Sequence, residues 1–362
     1  MRASRVARVL TAVRPLATFG GIQEDPVALK GTAAYYHVVL ERFPPRPLPA
    51  FEDPAMQERV WGRPWGVTND VGRLRLVLVH QPGPEMDVML RGRYDPDVEA
   101  LLDEDEQWYW RDDKPPDLAR FRAQHDGLVA ALRVEGVEVA FVDGANPHDP
   151  NAVYARDVAT AVPGGAVLMR MGTVGKHGGR RGEERHAYQA LARLGMPVLR
   201  TINGTGLLEG GSVALLNERT AVVGLSWRQN EEGARQLEEV LAPAGVKLIR
   251  VPLTGYSLHV DGCIVMVDHD LALVNVTRLP YWFIQTLRDL EIRTVDVDLR
   301  DDPYTLNCLA VAPGRVLMCK GGDWTAERLS KVGVEVVQLE YDEVHKGGGG
   351  IHCSTCPLIR DP

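Results

Sequence analysis

Five segments of the chain place a reactive or polar side chain at the mouth of a strand-like run: YARDVA, LEGGSVA, LHVDGCI, TLNCLA and GIHCSTC. They carry Asp157, Glu209, His259 with Asp261, Asn307, and Cys353. Together these side chains suit nucleophilic chemistry on a cation. A free thiol has a pKa of about 8.5 and is only a few per cent thiolate at neutral pH. An imidazolium such as His259, or a cationic substrate, would favour the thiolate. Two carboxylates facing one cavity would bind a planar cation best, because a guanidinium offers paired N–H donors to each. Glu209 and His259 make an acid–base pair able to move protons to a leaving amine and from water. Glycines at 210–211 and 347–350 let backbone come close to a ligand with no Cβ in the way.

Taken singly, each residue has a plainer reading. An Asp before a strand is a turn former, Glu209 a loop acid, His259 a satisfied core histidine. Cys353 alone reads as a small buried apolar residue, as most free cysteines are. The set gains its meaning from position, because the five segments are equivalent points of one repeat.

The repeat runs as strand, tight turn, strand, helix, strand. Apolar runs with strand composition recur as RLVLVH, GAVLMR, TAVVGLS, LALVN and RVLMCK. Helical periods follow each, as in EEGARQLEEVLAPA with Leu237, Val240 and Leu241 on one face. A third strand then begins, in four of five cases with the glycine expected at a helix C-terminus. Four units have a preceding hairpin partner, such as SVALLNERTAVVG. The first lacks one, and the segment IHCSTCPLI is placed to supply it. The expected fold is therefore α/β, a five-bladed ββαβ propeller closed by the C-terminal strand. A doubly wound sheet is the runner-up, but it leaves the repeated hairpins unexplained. In a closed ring the strand beginnings converge near the axis, so the five segments would face one cavity.

The expected organisation is an N-terminal extension over 1–65 and one catalytic propeller over 66–362. Within the extension, ERFPPRPLPAFEDP reads as irregular and proline-stiffened. The insertion GRYDPDVEALLDEDEQWYWRDDKPP is acidic and Trp-rich, and reads as a solvated loop rather than a lid. The basic start MRASRVARVLTAVRPLATFG lacks a continuous apolar stretch, so a short helix or extension is expected there rather than a targeting signal.

Composition narrows the function. At 362 residues with 45% hydrophobic content the chain has ample core, and its net charge of −8 argues against nucleic-acid or anionic-membrane partners. No apolar run approaches the roughly 20 residues that span a bilayer. Five scattered cysteines do not make a disulfide framework, which points to the cytoplasm. No cofactor is implied. Cys353-x-x-Cys356 with His352 has partial zinc spacing, but structural zinc sites of this kind need a second close pair. A thioredoxin-type pair would open a helix, whereas HCSTCPL reads as a strand.

The motifs RD at 156–157, EGG at 209–211, HVD at 259–261 and GGGIHCST followed by PLIR resemble, in this order, the signature of the amidinotransferase and arginine deiminase superfamily. The resemblance covers about residues 66–362 and implies a pentein-type five-bladed propeller. It implies that Cys353 attacks the guanidinium carbon, with His259 and Glu209 as the acid–base pair and Asp157 and Asp261 holding guanidinium nitrogens. A thiouronium adduct would form and an amine leave. The family's deiminases carry a carboxylate-binding arginine after a GxS strand, which GLSWR matches with Arg228; an arginine of GGRRGEE is a second candidate. The chain departs from the arginine deiminase pattern at Ser212 and Val158, and STCPL departs from that of agmatine deiminases. These changes bear on which guanidine is bound.

The expected partner is thus a small arginine-like guanidine, with oligomeric state left open, a homo-oligomer included. A deiminase acting on arginine or a close analogue is the leading expectation. An amidinotransferase, which would need an acceptor amine, is the alternative. A non-catalytic arginine-binding protein is the third, and it leaves the Cys, His and Glu without a purpose. A cysteine peptidase leaves the paired acids unexplained.

Overall fold

The computed structural model describes residues 30–44, 46–172, 179–255 and 257–362. The basic N-terminal segment lies outside the described residues. The chain divides into two compact units, Met1–Pro49 and Ala50–Pro362. In the first, the Thr32 side chain accepts from Tyr35 N and caps the helix Ala33–Arg42. The second begins with the helix Pro54–Trp61, which Asp53 caps and Gly62 ends in the left-handed conformation.

The rest of the second unit is built on five three-stranded sheets of one design. A hairpin of antiparallel strands is followed by a helix and then a strand parallel to the hairpin's second member. The hairpins are Ala159–Val162 with Gly165–Leu168, Val213–Asn217 with Thr220–Leu225, Ile264–Asp268 with Leu271–Val274, and Leu309–Ala312 with Arg315–Cys319. Their parallel partners are Val198–Thr201, Lys247–Pro252, Arg293–Asp296 and Glu335–Leu339. In the remaining sheet Leu74–Val79 pairs in parallel with Glu138–Phe141, and its antiparallel neighbour is Cys356–Arg360. The segment after Cys353 therefore fills the place left empty in the first unit of the repeat.

The hairpin strands are nearly continuous apolar runs because both faces are covered. Gly165–Leu168 and Leu271–Val274 are buried throughout, whereas the outer strand Val198–Thr201 is half-exposed. Four helices give way to the next strand through glycines 136, 195, 245 and 333, all with φ between 79° and 92°. The fifth uses Glu291 in the same left-handed region. Neighbouring sheets touch in succession. Cys356–Arg360 lies against Ala159–Val162, the turns that open the second, third and fourth sheets pack on one another, and Leu309–Ala312 lies against both Ile264–Asp268 and Leu74–Val79.

The insertion differs from its reading as a solvated loop. It folds into a small antiparallel sheet of Arg93–Asp95, Ala100–Leu102 and Tyr109–Trp110. Its acidic residues drew the solvent reading, but Leu101, Trp108 and Trp110 are buried, and Trp110 packs on Phe121 with ring centroids 6.1 Å apart. Arg111 N donates to Lys346 O, and Lys346 Nζ pairs with Asp112. The insertion is thereby fastened beside the glycine run that precedes Cys353.

Candidate active site

Each candidate segment meets its sheet through a tight turn. Short 3₁₀ turns at Ala155–Val158, Gly210–Ser212 and Val260–Gly262 carry Asp157, follow Glu209 and carry Asp261, respectively. Asn307 N closes a turn on Tyr304 O, and Ser354 N one on Gly350 O. A turn at a strand mouth projects its side chains off the sheet end, so the five segments converge as their repeat positions predict.

His259 is at the centre. Its Nε2 lies 2.6 Å from Glu209 Oε2 and its Nδ1 3.5 Å from Asp157 Oδ1. Glu209, fully buried, also accepts from Gly172 N at 2.7 Å and Arg228 Nε at 2.8 Å. Cys353 Sγ receives Asn307 Nδ2 at 3.2 Å and lies 3.7 Å from Asp261 Oδ2. Cys353 N donates to Asn307 Oδ1 at 3.0 Å, so one amide grips both the backbone and the sulfur. Asp261 Oδ2 is also 2.8 Å from His352 Nδ1. A cavity of about 680 Å³ opens here, lined by His259, Asp261, Asn307, Cys353, Arg180 and Arg228 among others.

Two residues stand differently from the expectation. Asp157 is held beneath the wall, with Oδ2 on Arg180 Nη1 at 2.6 Å and Oδ1 on Gly211 N at 3.1 Å. A buried carboxylate needs a partner, and Arg180 supplies it while also binding Glu183 at 2.6 and 2.8 Å. Arg228 borders the cavity, but its Nε is committed to Glu209. The glycines also serve a different neighbour. A Cβ on Gly211 would fall 2.7 Å from His259 Nδ1 and 2.8 Å from Asp157 Oδ1, and one on Gly350 would fall 2.7 Å from Asn307 Oδ1. The missing side chains make room for site residues.

The charges are strongly coupled. Burial works against the imidazolium of His259, but Asp157, Glu209 and Asp261 outweigh it and push its pKa up to about 9. Burial opposes ionisation of Glu209, yet its hydrogen bond to His259 and the charges of His259 and Arg228 bring its pKa below the usual value. Burial and the charges of Asp261 and Asp157 hold the Cys353 thiol well above its ordinary range, with Asn307 acting the other way. At neutral pH the pair is imidazolium and thiol.

A stability consequence follows for His259, whose usual pKa is 6.5. Below that value folded and unfolded chains are both protonated there, and the contribution of the raised pKa is complete. As pH rises the unfolded chain loses the proton first, and the contribution disappears by the time pH passes about 9. Between pH 6 and 10 the melting temperature of His259→Gln should therefore decline less than that of the native protein. An equal decline would place the responsible group elsewhere.

Sequence reasoning missed the roles of His352 and Arg111 and left Arg180 unresolved as one of the two arginines of GGRRGEE. Arg180 lay in a motif with two adjacent arginines that periodicity cannot separate. His352 was weighed only as a metal ligand. Arg111 belongs to the insertion, outside the repeat, so repeat position could not find it. Its guanidinium bonds to the hydroxyls of Tyr304 and Tyr109, sits over both rings at 5.5 and 5.2 Å, and borders the cavity.

The family model for eukaryotic N,N dimethylarginine dimethylhydrolase matches residues 103–360. The chain belongs to this dimethylarginine dimethylhydrolase family. Its place in the wider amidinotransferase and arginine deiminase superfamily follows. A dimethylarginine dimethylaminohydrolase of Pseudomonas aeruginosa is 25% identical over 238 residues, covering 66% of this chain and 88% of that protein. A 2-nitroimidazole nitrohydrolase of a Mycobacterium species is 25% identical over 337 residues, covering 84% of each chain. Among solved structures, the Pseudomonas aeruginosa dimethylarginine dimethylaminohydrolase with citrulline superposes with a TM-score of 0.62 at 21% identity, covering 79% of this chain and all of that one. Family members thus share the propeller-like α/β fold seen here. Among the described residues no helix is long and apolar enough to cross a membrane.

Proposed function

We propose that this member of the dimethylarginine dimethylhydrolase family hydrolyses a guanidine of the arginine class through a covalent intermediate on Cys353. The observation that carries the reading is the meeting of Cys353, Asp261 and the His259–Glu209 pair at one cavity. We further infer that the five sheets close into a single five-bladed ring, which would account for residues so distant in sequence sharing a site.

The reaction follows from the charges. A guanidinium entering beside Asp261 and above Asp157 brings positive charge to a thiol held neutral by carboxylates, so the thiol gives its proton to solvent and the thiolate forms. Sγ bonds to the guanidinium carbon, and the C–N bond to the departing amine breaks as His259 gives that nitrogen its proton. The neutral imidazole then takes a proton from water, whose oxygen adds to the thiouronium carbon. The C–S bond breaks, and the remaining proton of the added water passes to the leaving sulfur, releasing a ureido product and restoring the thiol. Glu209 holds His259 in orientation throughout. Asp157 contributes its charge from beneath, and it binds substrate directly only if Arg180 releases its oxygen.

Arg111 fits the carboxylate of an amino-acid substrate, because its two hydrogen-bond partners are neutral phenols and its charge faces the cavity. Arg111→Gln should raise KM for arginine-like substrates by about 10- to 100-fold while changing kcat little. Agmatine, which lacks the carboxylate, should be unaffected, and an equal rise in both KM values would remove Arg111 from this role.

The nitrohydrolase relative extends the same reading to a second substrate type. The C2 of a 2-nitroimidazole, like a guanidinium carbon, is an electron-poor sp² carbon flanked by nitrogens. A panel of arginine, methylated arginines, agmatine, guanidinoacetate and 2-nitroimidazole, with and without acceptor amines, tests the proposal. Ammonia, alkylamine or nitrite released without an acceptor supports hydrolysis. Ornithine formed only with an acceptor would make the protein an amidinotransferase. Binding without turnover would make it a guanidine receptor.

A further inference from the structure

A second cluster of reactive side chains lies outside the proposed chemistry. Asp302, Cys319 and His345 bring a carboxylate oxygen, a thiol and an imidazole nitrogen within 4.8 Å of one another. They come from three separate segments. Asp302 precedes the turn at Asn307, Cys319 ends the strand Arg315–Cys319, and His345 ends the short helix Asp342–His345. Cys319 and His345 are 2% and 5% exposed.

The polar bonding of this cluster is incomplete. Neither ring nitrogen of His345 has a hydrogen-bond partner among the described residues. Nδ1 lies 3.5 Å from Asp302 Oδ1, an ion-pair separation at the outer limit of a hydrogen bond. The Thr305 hydroxyl, fully buried, faces the Cys319 thiol and has no oxygen or nitrogen partner among the described residues. A buried polar atom left unsatisfied destabilises the fold, so several in one place call for an occupant. Asp302 Oδ1 accepts from Tyr304 N at 2.7 Å, and the His345 ring stacks on Tyr304 with centroids 4.6 Å apart. The geometry is therefore fixed from both sides.

We propose that Asp302, Cys319 and His345 form a zinc site, separate from the guanidine cavity, that clamps together the two segments holding Cys353. The mixed sulfur, nitrogen and oxygen donors match zinc, which binds each at about 2.0–2.3 Å in tetrahedral geometry. The separations allow such an approach with small side-chain movements. As the Zn–S bond forms, the thiol proton leaves to solvent. A solvent molecule would complete the four-coordinate shell. The clamp joins the turn that carries Asn307 to the chain entering the glycine run, and Asn307 is the residue that grips Cys353. The role is one of positioning. It does not depend on which guanidine is turned over.

Cobalt(II) provides the direct test, because a thiolate ligand gives an intense near-ultraviolet charge-transfer band. The full-length Cys353→Ser protein, freed of metal by a chelator, is titrated with cobalt(II). The expected result is a thiolate band saturating at one equivalent and displaced by zinc. In the Cys353→Ser/Cys319→Ser protein the band should be absent. His345→Gln in the Cys353→Ser background should weaken binding by at least about tenfold, and it serves if the double cysteine variant fails to fold. Zinc at a hundredfold excess over its Kd should raise the melting temperature by about 5 °C, and His345→Gln should remove that rise. The proposal is overturned if Cys353→Ser shows no band at one equivalent, or if the band survives the loss of Cys319. A band found only in protein that retains Cys353 would place the metal in the guanidine cavity and equally overturn it. Loss of guanidine turnover in Cys353→Ser leaves these readouts intact, so failure of the zinc site and failure of the proposed reaction are told apart.

Discussion

Cys353→Ala is expected to lower turnover of every guanidine by at least about 10⁴-fold, while the substrate still binds. In the proposed reaction nothing else in the cavity can form the covalent intermediate, so its loss removes the route rather than slowing one step. Cys356→Ala is the internal comparison. That thiol donates to Ala159 O at 3.3 Å inside the sheet, and burial pushes its pKa up to about 11. It is a packing residue, and its replacement should leave kcat within about threefold of the native value. Acid quenching during turnover should reveal an added mass on the peptide bearing Cys353. Normal turnover by Cys353→Ala, or loss of activity in Cys356→Ala alone in a folded protein, would refute the assignment of the nucleophile.

Glu209→Gln is the second large effect. Glu209 takes hydrogen bonds from Gly172 N and Arg228 Nε and lies 2.6 Å from His259, with no exposure to solvent. A neutral amide in its place removes one of the charges that raise the pKa of His259. The expected loss in kcat is about 10²–10⁴-fold, the range of general acid–base catalysis. Because His259 must carry a proton to give one to the leaving amine, activity should fall as pH passes its pKa of about 9. With a counter-charge lost, that alkaline limb should move to lower pH. This shift separates a catalytic effect from a structural one. A merely loosened fold would lower activity without moving the limb. Circular dichroism must accompany the kinetics, since breaking a buried ion pair costs about 3–5 kcal/mol.

The repeat made much of this architecture legible. Hairpin runs such as SVALLNERTAVVG carry their own turns, and a missing strand in one unit could be matched to IHCSTCPLI, found paired there from Cys356 onward. The convergence of Glu209, His259, Asp261, Asn307 and Cys353 was readable for the same reason, because equal positions in a repeat share an environment. Partnerships across sheets were not readable. Nothing in the sequence says that Arg228 turns to Glu209 or that Arg180 covers Asp157, since both depend on which cation reaches a buried acid first. The insertion was misread because its run of acids masked the pattern of Leu101, Trp108 and Trp110. Arg111 stayed hidden with it.

The strand after Cys353 also orders events in time. Its Arg360 Nη1 donates to Gly72 O, 288 residues earlier, so the first sheet is assembled from the two most widely separated stretches of the fold. Closing so long a loop is slow, because chain entropy must be lost before the contact repays it. The other four sheets are each drawn from a continuous stretch and can form without it. A refolding chain will therefore regain most of its helical signal while the sulfur is still unplaced, and catalytic competence will return as the last and slowest phase.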